Sequence, residues 1–390
     1  MKVIELAESH YREAIELSEY AFQYKVPEDQ LEKRLKLMKE HHQLYGIVEE
    51  NKLAAKLHLL PLEINIGDGI FKMGGIAEVA TYPEYRRSGY VKELLKHVLK
   101  TMKDGGYSVS MLHPFAVSFY RKYGWELFAN RLICSLTKAD LVMQKSVKGT
   151  VKRYNKDTHS EEISEVYEQF AKGFSGMLVR SKEWWNQSVY HDLTVAVYYS
   201  EEKEAMGYIL YEIKDSKMTV EEFIPLNNEA RHGLWNFICQ HDSMIKELKM
   251  VLHEREPLLY TLQEPRMKAE IMPYFMARIV DVKSFLKQYS FEWDNQKNDV
   301  ILHISDSFAP WNNKTVALTN KEVVFVNDEE RKELQNTGIQ LDINTLSTML
   351  FGYKRPLELY EIDYISGTEE EVQALEHLIP LHKPFIYDFI

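Results

Sequence analysis

The sequence predicts a mixed α/β protein: two tandem units with mixed sheets, followed by a third α+β block. Three observations carry the prediction. The chain has 390 residues, 45% hydrophobic and 27% charged, an ordinary globular composition with enough apolar material for roughly two to three domain cores. The first 140 residues alternate helical and strand-like periodicity in the order helix, helix, strands, helix, strand, helix, strand. Residues 150–285 repeat a similar order more loosely, and residues 286–390 form a block of their own. No low-complexity linker separates the blocks, so packed domains are expected over 1–148, 149–285 and 286–390.

The elements follow from local pattern. A helix over 9–22 sets Ile15, Ser18, Ala21 and Phe22 on one side, and a second over 29–41 spaces Leu31, Leu35 and Met38 by four and three. Strands are expected at 44–49, 53–65 and 71–82, with Gly74-Gly75 marking an irregularity in the last. The helix at 89–103 has the clearest signal. Val91, Leu94, Leu95, Val98, Leu99 and Met102 make one apolar stripe, and Asp104-Gly105-Gly106 stops it with residues that tolerate left-handed backbone. A strand at 108–112, a short helix at 116–123 and a strand at 125–136 complete the first unit.

The second unit reads as helices at 160–173, 181–190 and 228–240 and strands at 193–200, 205–213 and 217–224, with later strands after them. The third block reads as strands at 298–305, 314–319 and 322–327, then a helix at 344–351 capped by Asp342 or Asn344. A strand at 357–364, a helix after Thr368 and an apolar end over 384–390 follow.

Composition excludes several classes. The formal net charge is −11; residues 1–150 hold a small basic excess and the remainder holds the acidic surplus. A nucleic-acid binder carries a large basic region, and none is present in the sequence. An acidic body attracts cations, which fits a polyamine-like substrate and equally fits plain solubility. The two cysteines, Cys134 and Cys239, exclude a disulfide scaffold and read as small buried hydrophobes. Apolar runs fall far short of the ~18 residues of a membrane helix. The start, Met1-Lys2-Val3-Ile4-Glu5, lacks a signal-peptide apolar segment, so a cytoplasmic protein without membrane partners is expected. The histidines show no metal-binding spacing and no metal is expected.

The chemistry concentrates in Val79-Ala80-Thr81-Tyr82-Pro83-Glu84-Tyr85-Arg86-Arg87-Ser88-Gly89-Tyr90-Val91-Lys92. A strand enters this segment and an amphipathic helix leaves it. The first turn of a helix has backbone N–H groups without intrahelical partners, and its dipole favours negative charge, so it suits a phosphate or pyrophosphate. Gly89 lets such a group approach the backbone, and Arg86 and Arg87 add cationic donors. The strand edge Val79–Thr81 can pair with an amide-containing ligand arm as an added strand would. Neither a P-loop nor a dinucleotide glycine motif is present in the sequence.

The segment resembles the Arg-x-x-Gly-x-Gly/Ala signature of the GNAT N-acetyltransferase superfamily, departing from it at Val91, where Gly or Ala is usual. The resemblance implies acetyl-CoA as co-substrate, its pyrophosphate on Arg87, Ser88, Gly89 and Tyr90 with help from Arg86, and its pantetheine arm along Val79, Ala80 and Thr81. Val91 and Lys92 lie in the same helical turn, and Phe115 and Ala116 are expected to border the arm near the thioester. The stretch Phe119-Tyr120-Arg121-Lys122-Tyr123-Gly124-Trp125 is similar to the place where such enzymes carry a tyrosine that protonates the departing thiolate. Of the two tyrosines, Tyr120 is expected to do chemistry and Tyr123 to be core. Tyrosine's ordinary pKa of ~10 keeps it protonated at neutral pH and able to donate.

Length and layout narrow the resemblance to the Eis (enhanced intracellular survival) acetyltransferases, over essentially the full chain. The segment 341–355 is similar to their sterol-carrier-protein-like C-terminal domain. The second unit's Glu229-Ala230-Arg231-His232-Gly233 has an Arg-to-Gly spacing one residue short, as a degenerate GNAT copy without cofactor would. The family resemblance implies that the C-terminal carboxylate, here Ile390, serves as general base. It also implies a small cationic, aminoglycoside-like acceptor, and a homohexamer. Two alternatives stand beside this: acetylation of a protein lysine or N-terminus, and a non-enzymatic binder of an apolar ligand with a vestigial GNAT unit.

Overall fold

The computed structural model describes residues 2–293, 299–334 and 337–390. The chain forms two compact units. One comprises Met1–Phe128, Phe275–His382 and Ile390; the other comprises Ala129–Tyr274 and Lys383–Phe389.

In the first unit, β1 (Ile4–Glu5), α1 (Tyr11–Phe22), α2 (Glu28–His41), β2 (Gln43–Glu49), β3 (Lys52–Ile66), β4 (Gly69–Thr81), α3 (Tyr90–Asp104), β5 (Val109–Leu112) and α4 (Val117–Arg121) follow in order. The sheet runs β1-β2-β3-β4-β5, antiparallel except for the parallel β4–β5 pair that α3 connects. The stripe on α3 is buried as its periodicity predicts: Leu94, Leu95, Val98, Leu99 and Met102 are fully enclosed against Leu57, Leu59 and Ile76. Each such side chain contributes roughly 1.5–3 kcal/mol relative to exposure.

The irregularity expected at Gly74-Gly75 lies elsewhere. Both glycines pair in register with Pro61 and Leu60, and Gly74 is small because a Cβ there would strike Met102 and Leu59. The register breaks a few residues later, where Glu78 and Val79 oppose Leu57 alone between the His58–Ala77 and Lys56–Ala80 pairs. Glu78 takes the left-handed conformation, φ +47°, that this β-bulge requires.

β6 (Glu126–Thr137) begins in the first unit and continues into the second. There follow β7 (Thr150–Tyr154), α5 (Glu161–Ala171), α6 (Lys182–Trp184), β8 (Thr194–Tyr199), β9 (Ala205–Lys214), β10 (Lys217–Pro225), α7 (Asn228–Cys239) and β11 (Glu247–Leu252). The helix expected at 181–190 is α for one short stretch and then π over Trp185–Val189. The second unit's sheet runs β6-β11-β10-β9-β8-β7, with only β10 and β11 parallel and α7 between them. This repeats the β4–α3–β5 arrangement of the first unit. Cys134 and Cys239 are free and buried in this unit's core.

β12 (Lys268–Ile279) returns the chain to the first unit, where Met276–Ile279 pair antiparallel with β5. Next come α8 (Val282–Gln288), β13 (Val300–Ser305), β14 (Lys314–Thr319), β15 (Glu322–Phe325), α9 (Asp328–Glu333), β16 (Ile339–Asp342), α10 (Ile343–Leu350), α11 (Pro356–Glu361) and α12 (Glu369–Leu378). The small sheet runs β15-β14-β13-β16. Residue 298, the expected start of its first strand, lies outside the described residues. Asp342 caps α10 by accepting from the Thr345 N–H at 2.8 Å, and Thr368 and Glu371 form a capping box on α12.

The strand expected at 357–364 is instead the helix α11. The near-alternation of Leu357, Leu359 and Ile362 imitates a strand, yet only Leu359 is buried. Pro356 opens α11 with its φ already near the helical value, and the Glu358 carboxylate accepts from the Arg355 N–H at 2.8 Å.

Candidate active site

The end of β4, the following loop and the start of α3 open onto a cavity of about 740 Å³. Val79, Ala80, Thr81, Arg86, Arg87, Gly89, Tyr90, Val91, Lys92 and Phe115 line it, ten of the residues singled out from the sequence. Ser88 is exposed in the same loop, and Ala116 is the N-cap of α4; neither lines the cavity.

The loop geometry suits an anion. Gly89 is the N-cap of α3 with φ +85°, and no side chain caps the helix. The first intrahelical bond is Glu93 N–H to Gly89 O, so the amides of Tyr90, Val91 and Lys92 precede the ladder. Arg87 is also left-handed, at φ +64°. Alternation of left-handed and ordinary residues turns successive N–H groups toward one concavity. A Cβ on Gly89 would meet nothing within 4 Å, so the glycine serves backbone conformation and open approach rather than packing. Arg86 is braced by donating from Nε to Thr81 O at 3.2 Å.

The β4 edge is open beside this loop. β4 and β5 pair from Met73–Val109 to Gly75–Met111 and then part, so Ile76–Thr81 keep β3 as their described strand partner. The Thr81 hydroxyl is buried without a hydrogen-bond partner. A ligand amide arm laid along this edge would meet both free backbone groups and that hydroxyl.

Tyr123, expected to be core, stands at the cavity, and Tyr120 is the more deeply buried of the two. Tyr120 is buried at 3% exposure, with Phe115, Phe119 and Trp125 at ring distances of 5.5, 5.1 and 6.4 Å. Tyr123 is half-buried and lines the cavity together with Phe119. Burial raises the pKa of Tyr120 well above the ordinary phenol value, so its proton is retained at neutral pH. Tyr120 therefore touches the cavity wall through Phe115 and Phe119 without being part of the wall itself. Gly124, φ +90°, closes the aromatic turn because a Cβ there would collide with the buried Arg278 guanidinium.

Ile390 packs within the first unit. A Cβ on Gly75 would lie 3.0 Å from its Cδ1 and 3.3 Å from Leu62, which puts the last residue at the point where β4 and β5 separate.

Sequence reasoning missed two features. Ala21 and Phe22 at the end of α1, together with Tyr85, Phe119 and Tyr123, also line the cavity. The signal was the run of half-exposed aromatics Tyr20, Phe22 and Tyr24, which core packing does not explain. The second feature is a buried polar chain behind the bulge. The Glu78 carboxylate accepts from Ser18 Oγ at 2.6 Å, from Lys56 Nζ at 2.8 Å and from Arg34. Lys56 Nζ is 2.9 Å from His58 Nε2, and His58 Nδ1 is 3.0 Å from His42 Nδ1. Burial, helped by Arg34, lowers Lys56 well below the usual lysine value; burial and the neighbouring cations lower His58 and take His42 to about 3. Among the described residues, no group of three or more His, Cys, Asp or Glu is arranged to hold a metal ion, and no helix is long and apolar enough to cross a membrane.

Comparison with known proteins agrees with this geometry. Residues 2–128 match a GNAT acetyltransferase domain, residues 176–279 match a second GNAT acetyltransferase domain, and residues 282–387 match a sterol carrier protein domain. The N-acetyltransferases Eis of Mycobacterium tuberculosis and Mycobacterium bovis are 23% identical over 256 residues, 62% of this chain and 63% of theirs. The match thus spans less than two thirds of those curated relatives. A solved Enterococcus faecalis protein, described as a conserved protein of unknown function and probable N-acyltransferase, superposes with a TM-score of 0.92 at 27% identity, over 100% of this chain and 99% of that one. The chain carries two GNAT acetyltransferase domains followed by a sterol carrier protein domain, and it is similar to the Eis N-acetyltransferases. Eis1 from Mycobacterium abscessus shares the fold of this chain over 100% of both, with a TM-score of 0.83 at 15% identity. Acetyl-CoA is the co-substrate of GNAT acetyltransferases.

The equivalent corner of the second GNAT-like unit is built differently. Asn227 caps α7 by accepting from the Ala230 N–H at 2.8 Å, and Arg231 is committed to the buried Glu256 at 2.6 Å. Gly233 lies inside the helix against Tyr198. Here the protein itself occupies one amide of the first turn and the arginine beside it.

Proposed function

We propose that the chain transfers the acetyl group of acetyl-CoA to a primary amine of a small cationic, aminoglycoside-like acceptor. The observation that carries the proposal is the uncapped, glycine-led start of α3 opening onto a cavity beside a free strand edge. In this reading Arg87, Ser88, Gly89 and Tyr90 hold the pyrophosphate through main-chain amides, with Arg86, Val91 and Lys92 around them. Val79, Ala80 and Thr81 align the pantetheine arm, and Phe115 and Ala116 flank the thioester.

The terminal carboxylate at Ile390 takes the proton of the acceptor ammonium. The free amine nitrogen attacks the thioester carbonyl carbon, and a main-chain N–H near Val79–Thr81 steadies the oxygen as charge develops. The carbon–sulfur bond then breaks with its electron pair going to sulfur, Tyr120 protonates the thiolate, and the second proton shed by the acylated nitrogen restores the Tyr120 phenol. A terminal carboxylate with its ordinary pKa of ~3.5 is a weak base toward an ammonium, so this role requires partial desolvation or a bridging water.

The acidic balance, −11 overall, agrees with a cationic acceptor. The exposed aromatics Tyr20, Phe22 and Tyr24 at the end of α1 offer apolar faces for a polyamine's ring carbons. A homohexamer and a cytoplasmic location belong to the same proposal. Screening amines by CoA release tests the acceptor class. Turnover with aminoglycosides and not with lysine peptides is expected; the reverse pattern would replace the small-molecule reading with protein acetylation.

A further inference from the structure

In the second unit the C-terminal segment lies in a socket built around one buried arginine. Arg180 is 6% exposed, and its Nε donates to Asp388 Oδ1 at 2.9 Å while its Nη1 donates to Glu222 Oε2 at 3.2 Å. The guanidinium lies over the rings of Tyr167 and Trp185, 3.9 and 4.6 Å from their centroids. Asp388 also accepts from Trp184 Nε1 at 2.8 Å and from the Tyr167 hydroxyl at 3.3 Å. The main chain is held as well. Tyr274 donates to Asp388 O at 3.1 Å, and Arg131 donates to Tyr387 O. Ser175 exchanges hydrogen bonds with Lys383 O and Phe385 N–H at 2.9 and 3.0 Å. Phe385 and Tyr387 enter the hydrophobic core of the unit, and the Tyr387 hydroxyl donates to Phe223 O at 3.1 Å.

These contacts specify a register, which burial alone would not. A slip of one residue would bring Tyr387 or Phe389 against Arg180 and leave Asp388 without its cation, and an unpaired buried carboxylate is strongly unfavourable. Glu222 also pairs with Arg180 from the body of the unit, so the arginine has a second carboxylate besides that of the tail.

We propose that Arg180 and Asp388 are positioning residues. Their buried pair fixes the register of residues 383–389, so that the terminal carboxylate one residue further on is held where a base is needed. This rests on the reading of the Ile390 carboxylate as general base. It also gives the second GNAT-like unit a role: a receptor for the chain's own C-terminus.

The test uses the full chain with Asp388→Asn, which keeps the shape and leaves the Arg180–Glu222 pair intact, and with Trp184→Phe, which removes one hydrogen bond to Asp388. Hydrogen exchange of the amides of residues 384–389 reports docking, and steady-state kinetics report catalysis. The expected result for Asp388→Asn is exchange faster by at least tenfold and kcat lowered by at least tenfold, with the Kd for acetyl-CoA within twofold of the parent. Trp184→Phe should move both readouts in the same direction by less. Unchanged exchange would overturn the anchoring role, and faster exchange with unchanged kcat would overturn the positioning role. A separate variant extended by two glycines beyond Ile390 distinguishes the failures. If the extension abolishes turnover while Asp388→Asn does not, only the present inference is lost. If the extended chain turns over normally, the terminal base itself is lost.

Discussion

In the proposed reaction Gly89 admits the pyrophosphate and Tyr120 serves as the acid, and each role makes a separable prediction. Gly89 holds φ +85° with open space where a Cβ would go. Gly89→Ala therefore costs only the strain of a left-handed alanine, roughly 1–2 kcal/mol. Because it also crowds the approach to the α3 amides, acetyl-CoA affinity should fall at least tenfold, measured by calorimetry, with a fall in Tm of only a few degrees. Affinity equal to the parent's would move the pyrophosphate elsewhere. Tyr120→Phe removes one hydroxyl from a buried aromatic cluster. It should lower kcat by on the order of 10²-fold with acetyl-CoA affinity retained, a typical loss for a general acid. Near-normal turnover would pass the acid role to another donor, and Tyr123, which lines the cavity, would be the next to test.

At the scale of elements, buried histidines, one of them in the polar chain behind the β4 bulge, make stability depend on pH. His42 in that chain is held at about 3, and His382, which bonds to Tyr289 elsewhere in the first unit, at about 4, each chiefly by burial, below the ordinary 6.5. A base whose folded pKa is depressed binds fewer protons folded than unfolded, so stability is complete above pH ~6.5 and is lost as pH falls toward 4 and below. Thermal melts should show Tm falling through that window by an amount worth a few kcal/mol; a flat profile from pH 7 to 4 would contradict the buried neutral histidines. Glu78→Gln leaves Arg34 and the buried Lys56 without their carboxylate and should destabilise by about 3 kcal/mol, the lower end for a broken buried pair because Glu78 is partly solvated. Lys56→Met leaves Glu78 with Arg34 and Ser18 and should cost about 1 kcal/mol or less.

These elements also divide what could be read from the sequence from what could not. The α3 stripe and the loop before it were legible because helix period, glycine and arginine all act locally. The bulge at Glu78 was not, because a bulge is set by the partner strand, and two conspicuous glycines nearby drew attention to the wrong residues. Helix α11 was missed because near-alternating Leu357, Leu359 and Ile362 imitate a strand, while Pro356 at its first turn decided the matter. The Glu78–Lys56–His58–His42 chain joins β3, β4 and the end of α2, and no local pattern announces such a long-range network.

At the scale of the whole molecule, the two GNAT-like units repeat one arrangement of strands around α3 and α7, yet their helix starts differ in chemistry. The start of α3 presents free amides and arginines to a cavity, whereas Asn227 and Glu256 occupy the corresponding donors of α7 and its loop. One chain should therefore bind one donor molecule. The most direct measurement is calorimetric titration of the intact protein with acetyl-CoA. The account predicts saturable binding at one site per chain, with CoA competing for it. No saturable heat, or two sites per chain, would contradict it.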